Sequence, residues 1–237
     1  MRILVSSFNE LKRHKALILI LALYLIRGAI YATMLPPWDL IDEEQHFHYI
    51  QHIAEEHKLP VLGETYLSSE VVSSLFSTKR WMVHHWPSPD SEDPRRMGLE
   101  GFSYEAYQPP LFYFIGAALY LLLPDDTLSQ LYCLRFAALA MGAMTVLLAY
   151  FTAAEISPSN KLLVYGVPLI ITLIPEHTAA VSRLNNDVLL EVVASAAFLV
   201  LVRYVKGAMR STIWLGFLLG LGILTKATVL LLTPIIP

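Results

Sequence analysis

The stretch Ala16-Leu17-Ile18-Leu19-Ile20-Leu21-Ala22-Leu23-Tyr24-Leu25-Ile26-Arg27-Gly28-Ala29-Ile30-Tyr31-Ala32-Thr33-Met34-Leu35 runs directly into Pro36-Pro37-Trp38-Asp39-Leu40-Ile41-Asp42-Glu43-Glu44-Gln45-His46-Phe47-His48. A helix rises about 1.5 Å per residue, so the apolar part is long enough for a hydrocarbon core of about 30 Å. The two prolines end it, and an acidic pair, Asp42-Glu43, follows at once. In hydrocarbon every backbone polar group must be satisfied internally, which leaves helices or closed barrels. The first stretch therefore points to a helical membrane protein with carboxylates at its boundary.

The basic Lys12, Arg13 and Lys15 ahead of this run resemble the start of a signal peptide. The apolar segment continues past signal-peptide length, and Arg27 interrupts it without a clear small-residue cleavage site. We read it as a retained first span with the N-terminus in the cytoplasm. The 237 residues are 55% hydrophobic and only 16% charged, with mean hydropathy +0.52, against about 25% charged in soluble domains. A net charge of -3 gives no sign of nucleic-acid binding. One cysteine, Cys133, allows neither an internal disulfide nor a cysteine metal cluster.

Five further apolar stretches follow: Pro110–Leu123, Leu131–Phe151, Leu162–Ile174, Val188–Val205 and Ile213–Ile236. Pro110–Leu123 is too short for a comfortable crossing, but so is Leu162–Ile174, and length alone does not decide. Charge does. If all six cross, the basic turn Arg203, Lys206, Arg210 lies outside, against the positive-inside rule. If Pro110–Leu123 is re-entrant, that turn lies inside, and the loop around His177 to Asp187 faces the same side as Asp42 and Glu43. The expected fold is all-α: about five transmembrane helices, one re-entrant or juxtamembrane helix, and a large first external loop over 36–108. The chain reads as one module, 1–237. Its apolar last run stops abruptly, which leads us to expect the N-terminal portion of a longer protein.

Within the loop, Glu43 to Glu56 has helical periodicity, with Phe47, Ile50, Ile53 and Ala54 on one face. It reads as a helix lying in the membrane surface. Asp42 falls at its N-cap and Gln45 at N3, the spacing of a capping box. Trp38, Trp81 and Trp86 suit an interfacial position. Pro87 to Arg96 reads as an extramembrane excursion.

Three groups of residues could carry chemistry. Asp42, Glu43 and His46 come first. Asp42 and His46 are four apart, so a helix starting at Asp42 would put them on one face. There a carboxylate could serve as general base toward a hydroxyl, or join His46 and Asp187 around a divalent metal, Mg or Mn. The alternative is that Asp42 only caps a helix. His46 and His48 point to opposite sides, and His84-His85 is a weak metal signal. Second, Arg183-Leu184-Asn185-Asn186-Asp187 places an arginine, two amides and a carboxylate at a span boundary, where unpaired charge is costly. Third, Arg27, Arg135 and Lys226 are cations close to the apolar phase, suited to a phosphate or to structural pairing.

The order of these motifs resembles the polytopic glycosyltransferases of the GT-C type that use polyprenyl-phosphate sugars. The likeness is to the protein O-mannosyltransferases and their bacterial aminoarabinose-transferase relatives. Asp42-Glu43 resembles their acidic motif in the first external loop. Gln108-Pro109-Pro110-Leu111 resembles a His-Pro-Pro-Leu segment opening a juxtamembrane helix, with Gln108 where histidine is common. Arg135, in Leu134-Arg135-Phe136-Ala137-Ala138-Leu139, resembles an arginine at the start of the second span. Gly220 to Lys226 resembles Gly-Leu-x-x-Leu-Thr-Lys, and Arg183…Asp187 fits a further external aspartate. Family members are usually longer.

The resemblance implies an enzyme moving a sugar from a polyprenyl-phosphate carrier to a protein, lipid or glycan acceptor on the external face of the cell membrane. Asp42 would be the base, with Glu43 or His46 shaping the site. Arg135 and Lys226 would hold the lipid phosphate. Asp187 would position donor or metal, and Gln108, Arg183 and Asn185 would contact substrate. The competing readings are a transporter or channel subunit using the same charges, and an inactive scaffold. A polar path through both faces would favour transport.

Overall fold

A computed structural model describes residues 2–38, 42–80 and 101–229, with the side chains of the first helix described from Lys15 onward. The described chain is all-helical, and its only β pairing is an isolated antiparallel bridge between Tyr66 and Phe102. The helices are α1 (Arg2–Met34), α2 (Glu43–Glu56), α3 (Ser69–Ser77), α4 (Leu111–Tyr120), α5 (Thr127–Ile156), α6 (Lys161–Leu173), α7 (Pro175–Val181), α8 (Asp187–Val205) and α9 (Ile213–Thr225). A short 3-10 turn, Tyr104–Tyr107, precedes α4.

Among the described residues three helical segments are long and apolar enough to cross a membrane: Lys15–Met34 of α1, α5 and α8. The expected third span, Leu162–Ile174, is not a straight crossing. It reaches span length only with α7, across a 68° bend. The cause is local. Ile174 is extended (φ -67, ψ 114) and Pro175 has no N–H to continue the ladder. Arg27 Nη1 donates to the Thr172 carbonyl at 2.5 Å, so the intramembrane arginine satisfies an oxygen at the break. The ten residues of α4 extend about 15 Å, too little to cross. The last expected span runs on to Ile236, partly outside the described residues.

α1 and α5 approach closely through small residues. A Cβ at Gly28 would lie 2.1 Å from Leu139 Cδ1, and one at Gly142 would lie 2.2 Å from the Tyr24 hydroxyl. Of the glycines in α9, Gly222 is tight as well, since a Cβ there would lie 2.6 Å from Val229 Cγ2, whereas a Cβ at Gly216 or Gly220 would meet no described atom within 4 Å. α5 also separates the two ends of the bundle. Arg135, near its start, meets Glu43. Glu155, near its finish, pairs with Arg203 Nε at 3.1 Å, and Lys206 Nζ donates to the Glu155 and Ile156 carbonyls. Twenty residues of helix separate these points, about 30 Å. The basic turn and the acidic pair therefore lie at opposite ends, as the charge argument required.

The first loop folds into a cap over the acidic end. α2 has the predicted limits but not the predicted setting. Its polar side is buried along with its apolar side: His48 Nδ1 lies 3.2 Å from Ser103 Oγ, and Ser68 Oγ donates to Gln51 Oε1 at 2.7 Å. It is an internal strut rather than a surface helix. Trp38 is likewise internal. Its indole N–H donates to Ser74 Oγ at 3.0 Å and its ring meets Phe47 edge-on. Trp81, Trp86, His84-His85 and Pro87 to Arg96 lie outside the described residues. α2 packs on α4 because Gly116 leaves room for Ile50, whose Cδ1 would lie 2.5 Å from a Cβ there. Tyr49 stacks on Tyr113 with ring centroids 3.7 Å apart.

Candidate functional site

Asp42 and Glu43 are sequence neighbours with opposite settings. Glu43 is fully buried, and each of its oxygens takes two donors. Oε1 accepts from Arg135 Nε at 2.9 Å and the Leu184 N–H at 3.0 Å; Oε2 accepts from Arg135 Nη2 at 2.6 Å and the Trp38 N–H at 3.0 Å. Four donors saturate a carboxylate. The single side chain of Glu43 thus ties together the end of α1, the start of α5 and the turn before α8.

Arg135 is saturated in turn. Its remaining donors go to the carbonyls of Ala32 (3.0 Å), Leu35 (2.9 Å) and Pro36 (2.8 Å). These carbonyls need it. In a continuing helix Ala32 would bond the N–H four residues on, but Pro36 has none. Arg135 is therefore the cap of α1. All five of its N–H groups are engaged, which leaves none for the lipid phosphate it was expected to hold.

Asp42 does not cap α2. Its backbone is left-handed (φ 76, ψ 0), and its side chain makes no capping hydrogen bond. Instead the Tyr104 hydroxyl donates to Asp42 Oδ1. Gln45, expected to complete a capping box, accepts from the Tyr104 N–H at 3.2 Å. The capping alternative for Asp42 is thereby removed, since Asp42 contributes only its carbonyl to the helix, accepting from Gln45 and His46 N–H at 3.0 Å each. Because Asp42 precedes the helix in a left-handed turn, the four-residue spacing does not place it on one face with His46.

His46 is buried, with Nδ1 2.8 Å from the Tyr113 hydroxyl and its ring stacked on Tyr113. Burial lowers its pKa to about 3, and the Lys226 charge adds to that, so the ring is neutral near pH 7. Among the described residues no three His, Cys, Asp or Glu side chains come together as metal ligands, so the candidates Asp42, His46 and Asp187 are not gathered into one cluster.

Lys226 was expected inside an apolar helix. α9 stops at Thr225, and Lys226 follows in extended conformation (φ -160, ψ 133) at the helix end. Its Nζ lies 2.8 Å from Asp187 Oδ1, where α8 begins. This pair is open: the side chains are 23% and 57% exposed, and Lys226 uses one donor of three. Nearby, Asn186 Nδ2 donates to the Thr225 carbonyl at 3.4 Å, tying α8 to α9. Asn185 is chiefly structural, donating to the Ala180 (2.9 Å) and Arg183 (3.3 Å) carbonyls, with its Oδ1 unpaired. Arg183 is half-buried in the same turn.

The sequence reading missed Tyr104, Glu105 and Tyr107, all in the 3-10 turn before Gln108. Glu105 is buried, with Oε2 unpaired. Burial pushes its pKa up; a hydrogen bond from the Gln108 side chain opposes this, and the charges of Asp42, Lys226 and Asp187 all reach it. Tyr107 is 64% exposed, and Gln108 Nε2 donates to its hydroxyl at 3.1 Å. Asp42, Glu105, Tyr107, Asp187 and Lys226 thus share one electrostatic neighbourhood at the acidic end of the bundle. The only sequence signal for these three was proximity to Gln108-Pro109-Pro110.

A family model for dolichyl-phosphate-mannose-protein mannosyltransferases matches residues 107–236, more than half of the chain. The chain belongs to that family. It is accordingly a multi-pass membrane protein of a glycosyltransferase family. The mannosyltransferase match takes in Gln108, Arg135, Asp187 and Lys226 and begins after Asp42, Glu43, Tyr104 and Glu105. Neither curated proteins nor solved structures give a match.

Proposed function

We propose that this protein transfers a sugar from a polyprenyl-phosphate carrier to an acceptor hydroxyl, at the membrane face opposite its basic turn. The observation that carries the reading is the Asp42 carboxylate, which makes no capping bond, has Oδ1 engaged by Tyr104, and shares the electrostatic neighbourhood of Glu105 with the partly exposed Lys226. Asp42 takes the acceptor proton. Lys226, poised by Asp187, meets the lipid phosphate as a point charge. Glu43 and Arg135 hold the three helix ends that frame the site, and Gln108 holds Glu105. A polyprenyl-phosphate sugar straddles the boundary between lipid and water, where this cluster lies.

The transport reading finds less support. A hollow of about 510 Å³ lies near the other end, between α5, α6, α8 and α9. It is lined by Ile156, Leu163, Phe198, Leu201 and Leu215 among others, and only Thr152 and Ser195 bring hydroxyls. Among the described residues it offers no polar continuation of the acidic site.

The test is Asp42→Asn. Asn tolerates the left-handed backbone as well as Asp does, and no cap is lost. With dolichyl-phosphate mannose as donor and release of dolichyl phosphate as readout, turnover should fall by about 10²–10⁴ with thermal stability nearly unchanged. Near-wild-type turnover removes Asp42 from the mechanism. Orientation is tested in a Cys133→Ser background by impermeant labelling of Ser129→Cys and Ser211→Cys, one near each end of the bundle. Ser129→Cys should label in intact cells and Ser211→Cys only after permeabilisation. The reverse would place the site in the cytoplasm.

A further inference from the structure

We propose that Tyr104 is a positioning residue that fixes which oxygen of Asp42 meets the acceptor. The inference rests on the reading of Asp42 as the base.

Tyr104 is unusually well held for a loop residue. Its N–H donates to Gln45 Oε1, on the first turn of α2. The preceding residue, Ser103, donates its N–H to the Thr65 carbonyl at 2.9 Å and pairs its hydroxyl with His48. The Tyr66–Phe102 bridge lies alongside, with the two rings 4.3 Å apart. The arm carrying the phenol is therefore pinned both to α2 and to the loop before α3. Asp42 is fixed from its own side by the left-handed turn that starts α2. Two groups held at the start of α2, one of them also tied to the loop before α3, meet in one hydrogen bond, from the Tyr104 hydroxyl to Asp42 Oδ1. Strained backbone of this kind persists where the surroundings over-determine it, and it gathers at functional sites.

The chemical consequence follows from the two oxygens of a carboxylate. With Oδ1 occupied by the phenol, the side chain cannot rotate freely, and Oδ2 is left for the acceptor. In the transfer, the acceptor oxygen bonds the sugar's anomeric carbon while its proton passes to Asp42 Oδ2. The bond from that carbon to the phosphate oxygen breaks, and the electron pair leaves on the polyprenyl phosphate, beside Lys226. Tyr104 gives up no proton. Burial first, and then the hydrogen bond to Asp42, push its phenol far above the ordinary range, so it stays a donor throughout. Its contribution is orientation, and loss of orientation acts on the reacting geometry rather than on ground-state binding.

Tyr104→Phe tests this, assayed with dolichyl-phosphate mannose. The expected result is a kcat about 10- to 100-fold lower, with KM for the donor within twofold and the thermal midpoint unchanged. In an Asp42→Asn background the same substitution should cause no further loss, because its effect runs through Asp42. Unchanged kcat in Tyr104→Phe, alongside a large loss in Asp42→Asn, overturns the positioning role and leaves the base intact. A full-sized additional loss in the Asp42→Asn background also overturns it. So does a collapse in thermal stability, which would make Tyr104 a structural tie. If Asp42→Asn itself turns over normally, it is the base assignment that fails.

Discussion

Two carboxylate–cation pairs stand at the same end of this bundle and do different things. Glu43–Arg135 is sealed: both side chains are inaccessible, every lone pair and every N–H is matched, and the neighbouring carbonyls belong to a helix end that proline has left unpaired. Asp187–Lys226 is open, joined by one contact at the meeting of two helix ends. The charges are the same, but saturation differs. A saturated pair can only hold structure. An unsaturated, accessible pair can exchange its partner for a ligand.

The sharpest break of that contrast is Arg135→Met. It would leave Glu43 buried without its cation and strip three carbonyls of a donor. Removing one member of a buried pair costs about 3–5 kcal/mol, so the variant should unfold at markedly lower temperature in detergent. If its stability holds and only donor binding fails, Arg135 is a ligand after all and the contrast collapses.

Lys226→Met should do the converse. Losing one charge-assisted contact costs roughly 1.5–3 kcal/mol, about ten- to a hundredfold in affinity for dolichyl-phosphate mannose. An exposed ion pair contributes about 0–1 kcal/mol to folding, so the melting curve should barely move. Equal losses of affinity and stability would put Lys226 in the same class as Arg135.

Glu44 provides the smallest and most graded comparison: a buried carboxylate in which Oε2 has no hydrogen-bond partner. Burial raises its pKa to about 8, reinforced by the charges of Asp42 and Glu43 and opposed by a backbone hydrogen bond and by Arg80. Between its ordinary value of 4.5 and about 8 the folded chain keeps a proton that the unfolded chain releases. Stability from this group therefore declines as pH rises through that window. His46 acts in the other direction. Its pKa is lowered to about 3, so stability is lost as pH falls below 6.5. Glu44→Gln should flatten the alkaline decline and raise the midpoint at pH 8. An unchanged slope would show that Glu44 is paired as fully as Glu43.

Much of the architecture was legible in the sequence because hydropathy and proline act locally. The limits of α2, the shortness of α4 and the opposition of the basic turn to the acidic pair all followed from periodicity and charge. The site was legible in its members but not in their pairings. Arg135 is matched to Glu43 across 92 residues, and the clue that it caps α1, a helix ending in Pro36-Pro37, becomes readable only when α5 is seen to pass that end. Asp42 misled because N-cap spacing says nothing about φ. Tyr104 and Glu105 sit in a loop with no period to announce them, and only folding brings them back to α2.

The stretch of α5 between Arg135 and Glu155 also works as a ruler. Its length, about 30 Å, equals the thickness of an average hydrocarbon core, and each of its ends carries an ion pair, to Glu43 at the start of α2 and to Arg203 in the last turn of α8. The site is thereby held at one fixed height. In lipids with longer tails one set of charges would be drawn toward oil, and in shorter ones apolar rungs would be bared, each at a fraction of a kcal/mol per ångström. Acyl-chain length should thus tune this protein without touching any residue of its site.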